Sequence, residues 1–296
     1  MLNIDSNLSS TWNNMGYWPI REPGYPPSTA FASAATCLAT KLATAAELKS
    51  SDTLLDIGIG CGDQALVYAP LVKKYIGVTS LAEHASLAHD KLEKKEMLDK
   101  ASVYALDCSS PNERTWPTAL LNSVVLDGSV NKIIALDCLY HFSPSRENFL
   151  HFASASLEAA YERLRNEDQS GCQVSFVAED MLLASRPLPI IKMLGLRIIC
   201  SLSQSPLLNF KTADEYRSML QDSGFGSSRG WTIEMQDISD RVFPGLADFL
   251  DERGSARDGI GRWLRFERFT YFGKVVRWWY EQHVIRAFII SATKRS

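Results

Sequence analysis

Apolar, β-branched runs alternate with amphipathic stretches through the first two-thirds of the chain. This is the pattern of strand–helix–strand units around a parallel sheet. The runs predict strands over 53–57, 75–79, 103–106, 132–136 and 173–178. Between them, the spacing of apolar positions predicts helices over 63–71, 81–100 and 146–165. In the second of these, Leu81, Leu87, Leu92 and Leu98 are backed by a Lys/Glu-rich outer face, as suits a surface helix.

After Asp180 the pattern changes. Residues 181–208 are apolar and rich in Leu, Ile and Pro, and close on the loop-like stretch 201–206. Thr212 then opens a helix with the spacing of a capping box, its partner being Glu215, and Gly224 ends it. A strand is predicted over 231–235, helices over 242–250 and 260–283, and a last strand over 287–292. No repeat or linker interrupts the chain, so one domain over 1–296 is expected. Its parts would be N-terminal lid helices over 1–45, a core over 46–180, and cap insertions over 181–211 and 240–285.

A chain of 296 residues can bury a full core without metals or disulfides. Its net charge of -3 argues against a nucleic-acid partner, whose capture rests on clustered Lys and Arg. The six cysteines, Cys37, Cys61, Cys108, Cys138, Cys172 and Cys200, are scattered, with no C-x-x-C and no His at metal-ligand spacing. They read as reduced thiols, no metal site is expected, and the expected location is the cytoplasm. Residues 1–14 lack the basic start and apolar centre of a signal peptide. No uncharged apolar stretch approaches the roughly 18 residues of a membrane-spanning helix.

The sharpest local signal is Asp56-x-Gly58-x-Gly60-x-Gly62, between the predicted strand at 53–57 and the helix that starts near Asp63. Glycine is needed where backbone takes positive φ or must approach a ligand closely. A dinucleotide fingerprint would read G-x-G-x-x-G; here the third glycine comes one residue early. The run from Leu54 to Gly62 resembles motif I of the class I S-adenosylmethionine-dependent methyltransferases. That resemblance implies an α/β, Rossmann-like, seven-stranded and mostly parallel sheet with an antiparallel last strand, plus a helical cap. It also implies S-adenosylmethionine as cofactor, with Asp56, Gly58, Gly60, Gly62 and Gln64 around its amino-acid end.

Further motifs fall in the family's order. The second strand ends in Thr79-Ser80 where many members carry an acidic residue for the ribose. This departure resembles the cyclopropane synthase, sterol and tocopherol methyltransferases, and the overall style of the chain resembles fungal natural-product enzymes. Asp107, after the third strand, corresponds to the adenine-binding acid, although a turn cap would also explain it. Leu136-Asp137-Cys138-Leu139-Tyr140-His141 resembles motif IV, at the sheet edge that faces the transferring methyl. Ahead of the domain, Trp12-Asn13-Asn14-Met15-Gly16-Tyr17-Trp18 resembles a lid segment. Tyr17 is its candidate for the sulfonium; an aromatic staple that packs the arm is the plainer alternative.

For catalysis, a histidine near neutral pH suits proton removal from a hydroxyl acceptor. His84, His89 and His151 read as surface residues, whereas His141 follows the fourth strand, with Asp180 as its expected orienting partner and Glu179 as a substitute. The cap is apolar and aromatic, including Met181, Leu182, Leu183, Ile190, Met193, Leu194, Phe243, Phe249, Trp263, Phe266, Phe269, Tyr271, Phe272, Trp278 and Trp279. Most of these must pack the cap itself, yet together they favour a hydrophobic small molecule as substrate. The resemblance therefore implies methyl transfer to such a molecule, oxygen before nitrogen or carbon, in secondary metabolism. C-methylation of a lipid, sterol or terpene-like substrate, and a methyltransferase-like cyclase or binding protein, stay open. From Arg253 onward ten Lys/Arg face three Asp/Glu among aromatics, which suits either a solvated lid face or contact with an anionic membrane surface. A monomer or homodimer is expected.

Overall fold

A computed structural model describes residues 11–19, 31–167, 171–255 and 263–296. Seven strands form one sheet: β1 (Thr53–Ile57), β2 (Lys74–Thr79), β3 (Ala101–Ala105), β4 (Lys132–Leu136), β5 (Gln173–Leu183), β6 (Trp231–Asp237) and β7 (Ile285–Arg295). Their order is β3-β2-β1-β4-β5-β7-β6. The first five run parallel, and β7 is antiparallel to both β5 and β6. The fold class matches the expectation, with the antiparallel last strand inserted beside the parallel block.

Period-two alternation divides the core. On β1, Leu54 faces one hydrophobic cluster and Leu55 the other. The first face is covered by α1 (Phe31–Ala45), α2 (Asp63–Tyr68) and α3 (Ala82–Glu93), together with α6 (Ile190–Ser203), α8 (Ser239–Ser255) and α9 (Trp263–Glu281). The second carries the short α4 (Thr118–Leu121), α5 (Glu147–Asn166) and α7 (Ala213–Leu220). The capping box at Thr212 forms as expected, with both reciprocal bonds to Glu215.

Several boundaries differ from the sequence reading. The helix expected over 81–100 stops at Glu93, because Glu96 takes a left-handed φ of 55° that an α-helix cannot accommodate. Stretch 201–206 is loop only from Gln204, since α6 runs through Ser203. Met181, Leu182 and Leu183 are not cap residues: β5 continues through them, paired with Ile285–Ala287, and all three are buried. Of the expected lid helices, α1 is present and 11–19 is an irregular arm, while 1–10 and 20–30 lie outside the described residues. The start of the helix expected over 260–283, and the side chains of Trp263, Phe266 and Phe269, also lie outside them. Among the described residues, no helix is long and apolar enough to cross a membrane.

Candidate active site

The parallel strands bring their C-terminal ends to one edge, where loops leave the sheet and ligands of open α/β folds bind. Gly58, Gly60 and Gly62 leave β1 with φ of 74°, 52° and 87°. At Gly62 a Cβ would stand 2.5 Å from the Cβ of Ala88, so the turn packs directly on α3. At Gly60 the nearest atom to an added Cβ is Asn13 Nδ2 at 3.2 Å. A side chain there would instead project into a small cavity of about 40 Å³ between turn and arm. Asn13, Gly58, Gly60, Gln64 and Asp137 are among the residues lining it.

Beneath the turn, Asp56 is fully buried and accepts from Gln64 Nε2 at 2.8 Å and Tyr75 Oη at 2.7 Å. Burial pushes its carboxyl up to about 7 against the pull of those two donors. Asp56 therefore supports the turn from below and fixes Gln64, rather than lining the cavity itself. The arm closes over the turn. Thr11 gives its N–H and its hydroxyl to Asp63 Oδ2 at 3.1 and 2.6 Å, and Lys91 Nζ reaches the same oxygen at 2.6 Å.

Other expected cofactor residues spread along the same edge. Thr79 is buried at the end of β2, whereas Ser80 and Asp107 are exposed beyond β2 and β3. Asp107 Oδ1 accepts from Ser109 N at 2.8 Å, the turn-cap arrangement. Tyr17 is not among the cavity-lining residues. Lys41 Nζ and Arg241 Cζ stand 5.3 and 5.7 Å from its ring centroid, so its face already meets two cations. The staple of the arm is Trp18, which is buried, bonded to Met15 O at 2.8 Å and packed on Phe249.

Two further acidic groups lie near the ends of β4 and β5. Asp137 follows β4 with φ 54°, and its Oδ1 accepts from Tyr140 Oη at 2.7 Å. Dehydration pushes its carboxyl up to about 7. Glu179 pairs with Leu136 across the strands and is completely buried, yet neither carboxylate oxygen has a hydrogen-bond partner. Burial, with Asp137 and Asp180 near, pushes its carboxyl well above the usual carboxylate range. In the sequence Glu179 reads only as a stand-in for Asp180. Strand parity could have separated them, since 179 shares its face with Val177 and Met181, and 180 shares its face with Ala178 and Leu182.

The expected His141–Asp180 pair does not form. Asp180 lies on the second face, where its carboxylate is held by the guanidinium of Arg146, by Tyr216 Oη at 2.9 Å and by its neighbour's backbone, Met181 N, at 2.9 Å. Burial still raises its pKa, opposed by Arg146. His141 instead places Nδ1 3.0 Å from the hydroxyl of Ser205, a buried residue just beyond α6. Its side chain keeps an exposed edge, and partial burial lowers its pKa, favouring the neutral ring. Asn209, missed in the sequence, fixes the turn: its Nδ2 donates to Tyr140 O at 3.1 Å and Phe142 O at 2.7 Å. Among the described residues one metal-sized group occurs, the exposed His89, Asp90 and Glu93 on α3.

Solved structures share this fold. An O-methyltransferase from a trans-AT PKS multienzyme of Brevibacillus brevis, in complex with S-adenosyl-L-homocysteine, superimposes with TM-score 0.63 and 14% identity. The match covers 97% of this chain and 85% of that one. The chain has the class I methyltransferase fold. The geranyl diphosphate C-methyltransferase from Streptomyces coelicolor A3(2) shares it at TM-score 0.62 and 12% identity, over 95% and 90% of the two chains. The [4+2]-cyclase SpnF shares it at TM-score 0.61 and 16% identity, over 94% and 86%. The sequence matches no family model and no curated protein. The same fold thus carries an O-methyltransferase, a C-methyltransferase and a [4+2]-cyclase in these three structures.

Proposed function

We propose that this protein transfers a methyl group from S-adenosylmethionine to a hydroxyl of an apolar small molecule. The observation that carries the reading is the shared edge: a glycine turn lined by Gln64 and Asp137 opens beside the segment that carries His141, under an apolar cap. The fit to the cofactor rests on Gly60, whose missing side chain leaves a cradle against the arm that any Cβ would begin to fill. The backbone of Gly58 and Gly60, with Gln64 and Asp137, would hold its amino-acid end. Thr79, Ser80 and Asp107 lie at the strand ends where the ribose and adenine would follow. When bound, the cofactor supplies an electrophilic methyl on a sulfonium with a neutral thioether as leaving group.

The chain's own contribution is positioning and proton removal. With Nδ1–H given to Ser205, the neutral ring of His141 would have Nε2 free to accept the proton of the acceptor hydroxyl as the new carbon–oxygen bond forms. Glu179, buried beside Asp137 with neither carboxylate oxygen partnered, would give an acceptor that reaches it a polar anchor. Titration calorimetry with S-adenosylmethionine tests the reading: saturable binding that Gly60→Val abolishes is expected, and no heat of binding would end it.

A further inference from the structure

The sequence places an excess of cations after Arg253, but the structure engages several of them internally. Arg277 pairs with Asp248 and Asp251 at 3.1 and 2.6 Å, Arg286 with Asp237 at 2.9 Å, Lys294 with Glu158 at 2.5 Å, and Arg295 with Glu47. That end of the chain is therefore less free to meet an anionic surface than its composition suggests.

α6 is different. Ile190, Ile191, Leu194 and Ile198 are 87%, 83%, 58% and 51% exposed. At 3.6 residues per turn these four positions fall within an arc of about 100°, one face of the helix. The opposite side is anchored, with Leu196 and Cys200 buried and Gly195 tight against Trp278 of α9. Four large aliphatic side chains kept in water on one helix form a contiguous patch of the sort that marks an interaction surface.

Charge identifies the partner. Residues 181–211 contain not one Asp or Glu, in a chain whose net charge is -3. Of their four cations, Arg186 pairs with Glu215, Lys211 with Glu147, and Lys192 donates to the carbonyl of Gln282, which leaves Arg197 beside the stripe. Arg197 is exposed and, one position before Ile198, flanks the stripe. On α9, which touches α6 through Trp278, Tyr271 is 64% exposed and Lys274 is exposed. A second copy seated on this stripe would bring like charges together around it. An anionic bilayer would take the aliphatic side chains below its headgroups and pair the cations with phosphate and carboxylate.

We propose that α6 is a membrane-docking helix that seats its Ile190–Ile198 face on an anionic lipid surface. The proposal does not depend on the methyl-transfer reading. It does have a consequence for it: α6 leads directly into Ser205, so the element that meets lipid also holds the imidazole of His141.

Flotation of the full chain with phosphatidylcholine vesicles, with and without phosphatidylserine, tests this, alongside sedimentation velocity without lipid. The wild type should float several-fold more with the phosphatidylserine vesicles, less so in high salt. The Ile190→Glu/Leu194→Glu variant, with an unchanged far-UV spectrum and melting temperature, should stay at the bottom. Arg197→Glu should fall between. Equal flotation of wild type and the double variant, or none with either vesicle, would overturn the proposal. So would a wild-type dimer that the same double variant dissociates, since the stripe would then be a contact between copies.

Discussion

The imidazole of His141 stands 3.0 Å through Nδ1 from the hydroxyl of Ser205, so the histidine after β4 is tied to the cap rather than to the neighbouring strand. Asp180, the expected partner, is one residue away from the face it would need. A strand turns successive side chains to opposite sides, and Asp180 is thereby delivered to Arg146 and Tyr216. The two polar clusters have different work: one lies at the candidate active site, the other locks α5 and α7 to β5.

If Ser205 sets the tautomer of His141, Ser205→Ala should lower kcat by about tenfold while leaving the fold intact. The loss from His141→Ala should be larger, on the order of 10² to 10⁴, the usual range for a general base. The pH dependence separates orientation from structure. His141 is held neutral by a lowered pKa, so the wild-type rate should rise with pH below the ordinary imidazole value and then level. In Ser205→Ala the rising limb should move. An unchanged pH profile in Ser205→Ala would remove the hydroxyl from the mechanism.

Arg146→Ala should cost about 3–5 kcal/mol of stability, because it strands the carboxylate of Asp180 in a site without water. Asp180→Leu together with Arg146→Met should recover most of that loss, as apolar replacements of both partners often do. Urea unfolding of the three proteins checks this. Equal stability of Arg146→Ala and wild type would show that the pair is not sealed from solvent as its burial indicates.

The glycines of the turn should respond differently to one added methyl. Gly62→Ala drives a Cβ to 2.5 Å from Ala88 Cβ and 2.6 Å from its Cα, at a φ of 87°, so the backbone of α3 must shift. A loss of about 2 kcal/mol or more is expected. Gly60→Ala has a φ of 52°, within the left-handed region that other residues reach at a cost of about 1 kcal/mol. Its methyl enters the cavity, so cofactor affinity should fall by more than stability. Thermal melts with and without S-adenosylmethionine distinguish the two.

Much of this arrangement is legible in the chain. β1 and β4 have the boundaries their apolar runs predict, because strands buried on both faces read as continuous hydrophobic segments. The glycine turn is legible because positive φ and close approach restrict the residue type. What was not legible depends on tertiary partners. Nothing local says that Ser205 meets His141 across 64 residues, or that Asn209 holds the carbonyls of Tyr140 and Phe142. The extension of β5 through Met181–Leu183 is equally non-local, since β7 supplies the pairing. Position 180 is the exception, since period two alone fixes which of 179 and 180 shares the face of Val177 and Met181.

Asp56 gives a pH signature. Its pKa is about 7 in the folded protein against an ordinary 3.8, so the native state binds more protons than the unfolded chain between those values. Stability attributable to this group must then decline as pH rises from about 4 to about 7 and stay level above. The fall amounts to about 4 kcal/mol at most. Other buried carboxylates contribute similar slopes, so the comparison is between wild type and Asp56→Asn. Denaturant midpoints taken over that range should show the variant gaining on the wild type with rising pH. Parallel curves would mean that Asp56 is ionised throughout.

Glu179 offers the sharpest contrast between stability and function. A carboxyl sealed in the core with neither oxygen paired costs about 1–3 kcal/mol relative to a satisfied or apolar group. Glu179→Leu removes that cost at similar volume, so the variant should unfold at higher denaturant concentration than the wild type. If the carboxyl anchors the acceptor, the same variant should lose methyl transfer by about 10² or more, while calorimetry shows unchanged S-adenosylmethionine binding. Glu179→Gln should keep part of the activity, since it retains a donor and an acceptor. Such a gain in stability with a loss of activity is the mark of a polar group kept for function. A Glu179→Leu protein that is both less stable and fully active would leave the residue no part in acceptor binding.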